Sequence, residues 1–528
     1  MRLKFVLGAV FVLALHEVTS QGQFEPGNTE SLDVVANSVT NLAQKISRAI
    51  ASPRSKTEIF SPVSIAGALS LLLLGSSGVT RDELTKLMGF DNQKINFAEI
   101  HKSFGKLFHE LVSPEPSLNT PIPWRQNDKC NNYDYEDDEE PSPPPKNQRG
   151  KRDTSAPVEV NIGNAIFAQR GQQFGERYEK LAQQLYQTLL MHVDFANQPQ
   201  QATSTINHWV REQTRGKIPE IVSQLNADTL MVIANTLFFK AEWEEPFLKD
   251  GTKMKPFFPN GPNAASRNVT TMVHGGCFPY YYWKEMDTKV LGIPYKKNNT
   301  MYVFMPNDSD RIKLARLQPM LTAQNINDII SKMVVKTVSV QFPKMHLINS
   351  FNLKQVLEQL GVYRVFDHSN TDLYRILPGY ERFDDGSETE DIFDLLSDTV
   401  ETAIADLQRE YPNCSPFEKD VEGKASCEKS KLCRFAGSTC MCCPKTYDNS
   451  RKRRANDTPQ PLYVNEIVHK VDVVINEKGT EGGAVTATLL DRITAQANFR
   501  ANGPFLVIVR DEMTKLPLFY GNVYDPSV

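Results

Sequence analysis

Two segments near the end of the chain fix the kind of core that it must build. Residues 505–509 read Phe-Leu-Val-Ile-Val, and residues 518–520 read Leu-Phe-Tyr. Neither has the alternation of apolar and polar residues that a strand with one wet face shows, and near-continuous apolar strands suit burial on both faces. We therefore expect a sheet that is covered on both sides.

The remaining periodic segments predict helices first and strands later. Apolar residues recur at the three-and-four spacing of an amphipathic helix at Leu32, Val35, Val39, Leu42 and Ile46. Thr80 and Glu83 fit a capping box that opens a helix ending before Gly89. Alternating apolar residues predict strands at 158–162, 338–342 and 471–475. This order favours an α+β fold over a doubly wound sheet.

Two aperiodic stretches divide this periodic body. Residues 114–157 hold an acidic run at 133–140 and a proline cluster, which predicts a disordered insert. Residues 378–460 are acidic at first, then rich in cysteine, and form a second insert. Without these inserts and a 20-residue leader, 381 residues remain, enough for one large domain. Its parts are 21–113, 158–377 and 461–528.

The first 20 residues resemble a secretory signal peptide. Two basic residues precede an apolar run from Phe5 to Leu15, which is too short to span a bilayer, and small residues lead to a cut after Ser20. We expect a secreted, extracellular protein with no membrane anchor. Five Asn-x-Ser/Thr acceptors predict a glycoprotein, at Asn268, Asn298, Asn307, Asn413 and Asn456.

Charge and motifs exclude several classes of function. The 63 acidic and 59 basic residues give a net charge of −4, which argues against a nucleic-acid protein with a domain-wide basic surface. The sequence contains no Gly-x-Ser-x-Gly, His-Glu-x-x-His or P-loop motif. We therefore expect neither an enzyme nor a bound cofactor.

The second insert holds six of the eight cysteines. In a secreted chain, six cysteines within thirty residues predict a small disulfide-stapled module with fifteen possible connectivities. A zinc site is the weaker interpretation, since paired Cys-x₂-Cys ligands and nearby histidines are missing, and we predict no metal. Cys130 and Cys277 remain to pair with each other, with the module or with another chain. The six are Cys414, Cys427, Cys433, Cys440, Cys442 and Cys443.

The stretch after Asn476 is neither a tight turn nor an ordinary linker. Its even positions from 480 to 488 are all small and uncharged, whereas Glu481 lies in the odd set. If this stretch became a strand, the even side could be buried and the odd side left wet. The segment thus has two available states, a mobile loop or an added strand, and a plain flexible surface loop is the alternative.

An ordered set of short motifs is similar to the serpin family and covers almost all of the 381-residue body. The motifs begin at Phe60, Asn164, Ile206, Thr214, Asn235, Val290, His469, Glu477, Gly503 and Leu518. The resemblance implies an α+β serpin fold with three β-sheets, about nine helices and an exposed reactive-centre loop at 477–503. It also implies a secreted serine protease inhibitor, monomeric, that forms a covalent complex with its target.

In serpins a protease attacks the exposed loop, and the freed hinge then enters the main sheet with the protease attached. The hinge of this sequence comprises Glu477, Gly479, Thr480, Glu481, Gly482, Gly483 and Ala484. We expect it to stay outside the sheet from Gly479 onward until the loop is cut. Thr480 is uncharged, as burial requires. A non-inhibitory serpin scaffold that binds or carries a partner through its inserts is the alternative function.

The reactive bond has two candidates. The commonest family spacing places it after Ile493, before Thr494, which suits an elastase-like protease. A loop shorter by one residue places it after Arg492, which suits a trypsin-like protease, because the pocket carboxylate of such enzymes pairs with a guanidinium. We favour Arg492 and a target in an extracellular cascade such as immunity, melanisation or clotting.

The resemblance also assigns a polar cluster beneath the opening sheet, formed by Ser61, Ser64, Asn235 and His469. For His469 the ordinary interpretation, a core histidine satisfied by its neighbours, coincides with a role as a latch of the sheet. Trp243 matches the tryptophan near the point where the loop first enters, and simple core packing is its alternative.

The inserts suggest processing and a further partner. Basic runs ending at Arg152 and Arg454 fit proprotein convertase sites, with a solvated basic run as the alternative. Tyr133 and Tyr135 lie among carboxylates, where sulfation would give a polyanionic arm for a basic exosite on a protease. Plain solvation of the acidic run is the alternative.

Overall fold

The computed structural model describes residues 29–93, 95–130, 158–378, 462–480 and 495–527, with the backbone of short strands between 415 and 444. The chain divides into two compact units, one of residues 1–28 and 383–459 and one of residues 29–382 and 460–528. The predicted signal peptide and the convertase sites at Arg152 and Arg454 lie outside the described residues.

The larger unit contains nine α-helices in its described part. They are α1 (Thr29–Ala49), α2 (Pro62–Leu74), α3 (Gly78–Met88), α4 (Phe97–Val112), α5 (Glu176–Tyr186), α6 (Pro199–Gln213), α7 (Arg311–Leu317), α8 (Ala323–Lys332) and α9 (Leu353–Gln359). The apolar stripe predicted from Leu32 to Ile46 is buried along α1, which confirms that helix.

The predicted start of α3 was wrong. Ser77 is the residue before its first turn, and the Thr80 hydroxyl accepts a hydrogen bond from the backbone of Asp372 instead of capping the helix. The Glu83 carboxylate accepts from the backbone amides of Tyr363 and Arg364. Both side chains that a capping box would use are therefore engaged in tertiary hydrogen bonds. The predicted end at Gly89 is confirmed, since this glycine has a left-handed conformation with φ 78°.

The described strands are β1 (Thr57–Phe60), β2 (Glu159–Gln169), β3 (Thr188–Val193), β4 (Met231–Glu242), β5 (Leu248–Phe257), β6 (Arg267–Trp283), β7 (Thr288–Pro294), β8 (Asn299–Pro306), β9 (Val334–Pro343), β10 (Met345–Asn352), β11 (Ser415–Pro416), β12 (Glu418–Lys419), β13 (Ala425–Ser426), β14 (Lys431–Ala436), β15 (Thr439–Pro444), β16 (Glu466–Asn476), β17 (Gly479–Thr480), β18 (Ala497–Arg500), β19 (Phe505–Asp511) and β20 (Pro517–Val523).

The described strands of the larger unit form two sheets, and the α+β prediction is confirmed. A six-stranded sheet has the order β10-β16-β17-β4-β2-β3. A nine-stranded sheet runs β1-β20-β19-β8-β7-β6-β9-β18, with β5 paired to β6. The family resemblance implied three sheets. Here the 17-residue strand β6 pairs with β5 and β9 along one part and with β7 at its end, so hydrogen bonds join two of the three.

One part of the core lies between these sheets, and another lies between α6 and strands β2, β3 and β4 of the six-stranded sheet. Every residue of β19 and β20 is buried, as their apolar sequences predicted. Helix α2 is buried along its whole length and contacts both β20 and β4, so it fills the space between the two sheets. Ser61 caps this helix by accepting a hydrogen bond from the backbone amide of Ser64, and Pro62 occupies its first turn.

Residues 113–130 form an extended segment, which we call the strap, and the prediction of disorder from 114 onward was wrong for it. Trp124 is only 3% exposed and donates to the Tyr302 hydroxyl over 3.0 Å. Backbone hydrogen bonds pair residues 127–129 with Val335 at the start of β9. The strap lacks periodicity because its one regular element is the single 3₁₀ turn Pro123–Gln126, so the sequence pattern could not reveal this packing.

The strap ends in a disulfide between Cys130 and Cys277 of β6. This pairing decides among the three partners that the sequence left open. The second unit contains two small antiparallel sheets, β11-β15-β14 and β12-β13. The side chains of its six cysteines, and hence their connectivity, lie outside the described part.

Candidate functional site

The first two residues of the hinge core already lie in the six-stranded sheet. Gly479 and Thr480 form β17, which pairs with β16 on one side and with β4 on the other. Thr480 is opposite Ile475 and Ala241. The expectation that the chain stays outside the sheet from Gly479 onward was therefore wrong by two residues. The physical reason is that Thr480 is uncharged and its hydroxyl has a buried polar partner in Tyr295, which follows β7, so its burial leaves no unpaired group.

Gly479 is the one residue type that fits its position. Its φ is +150°, and a Cβ atom placed on it would lie 2.1 Å from the carbonyl oxygen of Ala241. That distance is far below any real contact of a Cβ atom. The close approach of β17 to β4 therefore depends on the missing side chain.

Thr480 is held by a stack of aromatic residues. Its side chain is 2% exposed, and its hydroxyl lies 3.0 Å from the hydroxyl of Tyr295. Burial raises the pKa of Tyr295 well above its ordinary value, so the phenol is neutral. The Tyr295 ring stacks on fully buried Trp243 with centroids 4.2 Å apart.

Trp243 marks the place where the loop enters. Its indole Nε1 donates to the carbonyl of Asn476 over 2.9 Å, and its backbone amide donates to the carbonyl of Lys478 over 2.9 Å. These bonds tie the end of β4 to the turn between β16 and β17. The full burial of Trp243 confirms core packing, and its role in entry of the loop stays a prediction.

Glu477 anchors the same turn from the other side. Its carboxylate pairs with Lys344 over 3.1 Å and accepts from the Thr252 hydroxyl over 3.0 Å. Burial would raise the pKa of Glu477, but hydrogen bonds from the backbone, Lys344 and Thr252 outweigh it and lower the pKa. The sequence analysis missed Lys344 and Thr252, because both meet Glu477 only where the two sheets come together.

Beyond the hinge, β4 and β16 pair directly with each other. Residues 466–469 of β16 run parallel to residues 232–235 of β4. The two strands are therefore closed at this end and separated by β17 at the other. Further insertion of the hinge has to break this parallel pairing, one residue pair after another.

The predicted polar cluster lies at the closed end. His469 and Asn235 are opposite each other in the pairing of β16 with β4. The Nε2 atom of His469 accepts from the backbone amide of Ser61 over 3.0 Å, and the Ser64 hydroxyl donates to Asn235. Asn235 in turn donates to Asn164 of β2, a member that the sequence analysis did not assign to the cluster.

His469 is neutral in this cluster. Burial lowers its pKa to about 3. Its Nδ1 atom is buried without a hydrogen-bond partner among the described residues. A neutral imidazole with one accepting nitrogen therefore connects the start of α2 to the paired strands β4 and β16, and its role as a latch stays a prediction.

The far end of the loop belongs to the other sheet. Strand β18 pairs in parallel with β9, and the backbone amide of Gln496 donates to the carbonyl of Thr337 over 2.9 Å. The loop therefore joins the six-stranded sheet to the nine-stranded sheet. The remaining predicted loop residues lie outside the described part, namely Glu481, Gly482, Gly483, Ala484, Arg492, Ile493 and Thr494.

A family model described as Serpin (serine protease inhibitor) matches residues 37–393 and 441–526. This chain belongs to the serpin family. Serpins are mostly protease inhibitors rather than catalysts, which supports a serine protease inhibitor here.

Curated relatives agree with this assignment. Serine protease inhibitor 28Dc of Drosophila melanogaster is 30% identical over 501 residues, which cover 94% of this chain and 80% of the relative. Alpha-1-antitrypsin 1-3 of Mus musculus is 24% identical over 96% of this serpin and 92% of the relative.

Solved structures show the same fold. Human glycosylated kallistatin matches 94% of this serpin and 99% of its own chain with a TM-score of 0.64 at 22% identity. Human thyroxine-binding globulin matches 94% of this serpin and 100% of its own chain, with a TM-score of 0.65 at 18% identity. At these identities the likeness concerns the fold alone.

The glycosylation acceptors of the serpin body differ in accessibility. Asn268 is exposed on β6. Asn298 is half-buried, and Thr300 of its acceptor motif is buried. The Asn307 amide donates to the Asp287 carboxylate over 2.6 Å. Asn413 and Asn456 lie outside the described residues.

The described part of this serpin offers no group of three or more histidine, cysteine, aspartate or glutamate side chains that could hold a metal ion. None of its described helices combines the length and the apolar character needed to cross a membrane.

Proposed function

We propose that this serpin is a secreted inhibitor that traps a trypsin-like serine protease of an extracellular cascade by inserting its cleaved loop. The observation that carries the proposal is the burial of Thr480 between β4 and β16. A hinge that has entered the sheet by two residues without a charge or a large side chain has the register and the composition needed to continue.

The buried face of the inserting strand follows from Thr480. Side chains alternate along a strand, so the even positions of the loop would follow Thr480 toward the core. Those positions are Gly482, Ala484, Thr486 and Thr488, all small and uncharged. A protease held as an acyl-enzyme would be drawn along with the strand. Loss of one oxyanion-hole donor slows such enzymes by roughly 10²–10³, so distortion of its active site would halt deacylation.

The test mixes the mature protein with trypsin and, separately, with pancreatic elastase. We expect a complex with one of them that survives denaturation in SDS, because only an acyl bond resists that treatment. Mass spectrometry of the released C-terminal peptide then locates the bond: a peptide that begins at Ile493 supports cleavage after Arg492, and one that begins at Thr494 supports cleavage after Ile493. Two fragments without a complex would contradict the proposal and favour the carrier function.

Secretion and glycosylation belong to the same proposal. The disulfide between Cys130 and Cys277 supports an oxidising compartment. Exposed Asn268 is the acceptor whose surroundings best accommodate a glycan. We expect secreted protein from insect cells to lose mass on treatment with a peptide N-glycosidase and the Asn268→Gln variant to lose less. Secreted protein with the mass of the bare polypeptide would contradict glycosylation.

A further inference from the structure

A cavity lies beside the hinge, on the β2 side of β4. Its volume is about 800 Å³, within the usual range of small-molecule pockets. The ends of α4, β2 and β4 line it together with two turns, residues 297–299 between β7 and β8 and residues 511–513 between β19 and β20. We call this the α4–β2 cavity.

Much of the wall of the α4–β2 cavity is apolar. Side chains from the end of α4, the start of the strap, the start of β2 and the second turn contribute to it. Such a surface favours the hydrocarbon part of a ligand, because removal of apolar area from water stabilises the complex. The main contributors are Leu111, Val112, Pro114, Val158, Val160 and Met513.

The acidic side chains of the wall are already engaged. Glu110 forms an ion pair with Lys106 over 2.7 Å and accepts from two backbone amides of the strap. Glu159 pairs with Arg215. The Asp511 carboxylate accepts from the Thr514 amide over 2.8 Å and from its hydroxyl over 2.7 Å.

Two lysines of the wall have no such partner. Lys240, near the end of β4, and exposed Lys297, in the first turn, make no side-chain ion pair or hydrogen bond with any described residue, although Glu159 lies opposite Lys240. The cavity thus combines apolar side chains with two ammonium groups that form no ion pair within the described part of the chain. This combination suits a ligand with an anionic head and an apolar body.

We propose that the α4–β2 cavity binds an amphipathic organic anion, of the class of long-chain carboxylates, and that its occupation slows insertion of the loop. The second half rests on the proposed function. Lys240 is opposite Glu159 in the pairing of β4 with β2, and it directly precedes Ala241, which pairs with Thr480.

A bound ligand would affect insertion of the hinge because it would contact both the six-stranded sheet and the elements beside it. A new strand between β4 and β16 needs them to part by about 4.8 Å, the spacing of neighbouring strands. Strands β2 and β4 form one side of the cavity, whereas the end of α4 and the two turns lie outside the six-stranded sheet. A ligand in contact with both sides therefore opposes the displacement of β4.

Binding is tested first without any protease. The mature full-length protein is titrated with 1-anilinonaphthalene-8-sulfonate, a fluorescent apolar anion, and the probe is then displaced with dodecanoate. We expect one saturable site and a dissociation constant raised by about two- to thirtyfold in the double variant Lys240→Ala and Lys297→Ala, because each lost charge weakens anion binding by about 0.2–1 kcal/mol. The matched control is Lys249→Ala with Lys253→Ala on β5, which removes the same charge from exposed positions.

The second readout is the rate constant of complex formation with whichever of trypsin or elastase is trapped. Saturating dodecanoate should lower it at least about threefold in the parent protein and leave the Lys240→Ala and Lys297→Ala double variant unchanged. Unsaturable fluorescence, or equal weakening in both double variants, would overturn the site. An unchanged rate constant would overturn the coupling.

Two further outcomes are distinguishable. If neither protease is trapped, the proposed function fails, while the fluorescence titration still decides whether the site exists. If the probe binds only to a variant that lacks residues 131–157, the occupant is the insert of this chain, and the proposal of an external ligand is wrong.

Discussion

At the scale of single residues, two neighbours in the hinge meet opposite requirements. Gly479 must lack a side chain, because β4 passes too close for a Cβ atom. Thr480 must have one that is small and uncharged, since it is buried against Tyr295 with one hydroxyl contact. A change at either position should therefore alter how readily the loop enters the sheet, and it should leave the reactive bond itself unaltered.

Replacement of Thr480 by Glu should turn the inhibitor into a substrate. Burial of an unpaired carboxylate at this position costs several kcal/mol, so the hinge stays outside and deacylation overtakes insertion. The yield of SDS-resistant complex is expected to fall to near zero, with cleavage of the loop retained. Thr480→Ser, which keeps the hydroxyl, is the control. Equal complex yields from both variants would contradict the burial of Thr480.

His469 should make the stability of the protein depend on pH. Its pKa is about 3 when folded and 6.5 as a free side chain. Between these values the unfolded chain binds the proton and the folded one does not, so stability is full above pH 6.5 and falls as the pH falls. Each pH unit removes about 1.4 kcal/mol. Urea unfolding from pH 7 to pH 5 measures this slope.

The His469→Gln variant should be less stable at pH 7, and its stability should depend less on pH between pH 7 and pH 5. His101 also has its pKa lowered to about 3 by burial and supplies a similar slope of its own. The variant therefore retains part of the pH dependence. An unchanged slope would mean that His469 has the same pKa in the folded and unfolded states, which would contradict the lowered pKa.

Family motifs predicted the latch and the hinge but not every partner. Ser64 and Asn235 were assigned from the resemblance, and both lie in the cluster. Asn164 begins a family motif and Lys344 lies in none, but neither could be assigned its partner, because the partners lie 71 and 133 residues away and approach only after strands pair. Such contacts depend on sheet order, which sequence periodicity does not encode.

At the scale of elements, the strap shows how a segment without periodicity becomes ordered. One buried indole, a short backbone pairing with the start of β9 and a disulfide replace the regular pattern of a helix or strand. Helix α1, with its helical period, and strand β19, with its continuous apolar run, could be predicted from sequence. The strap and the first turn of α3 could not, because contacts far along the chain determine both.

Removal of the disulfide by the double change Cys130→Ser and Cys277→Ser should destabilise the protein by about 2–4 kcal/mol, because the bond closes a loop of 147 residues and restrains the unfolded chain. Both cysteines are changed so that no lone thiol remains. Urea unfolding compares the variant with the parent. A variant of equal stability would mean that the strap stays docked through Trp124 and its backbone contacts alone.

At the scale of the whole molecule, the loop connects the nine-stranded sheet, which holds its last residues, to the six-stranded sheet, which its first residues have entered. Its last residues are fixed to β9 in the nine-stranded sheet, whereas its first residues begin a strand in the six-stranded sheet. In the proposed mechanism, the far end of the loop holds the hinge back while the loop is intact. A cut between the two ends would free the N-terminal part to continue the pairing that Thr480 has begun.

Cleavage of the loop should therefore make the protein much more resistant to heat. Roughly ten new backbone hydrogen bonds at about 1 kcal/mol each would form. Since 1 kcal/mol raises Tm by about 2 °C in a large domain, Tm should rise by about 20 °C. Calorimetry of the protein before and after limited proteolysis measures the change. The Thr480→Glu variant, cut in the same way, should gain far less, because its first inserting side chain carries a charge. If parent and variant gained equally, the stabilisation would arise somewhere other than the space between β4 and β16.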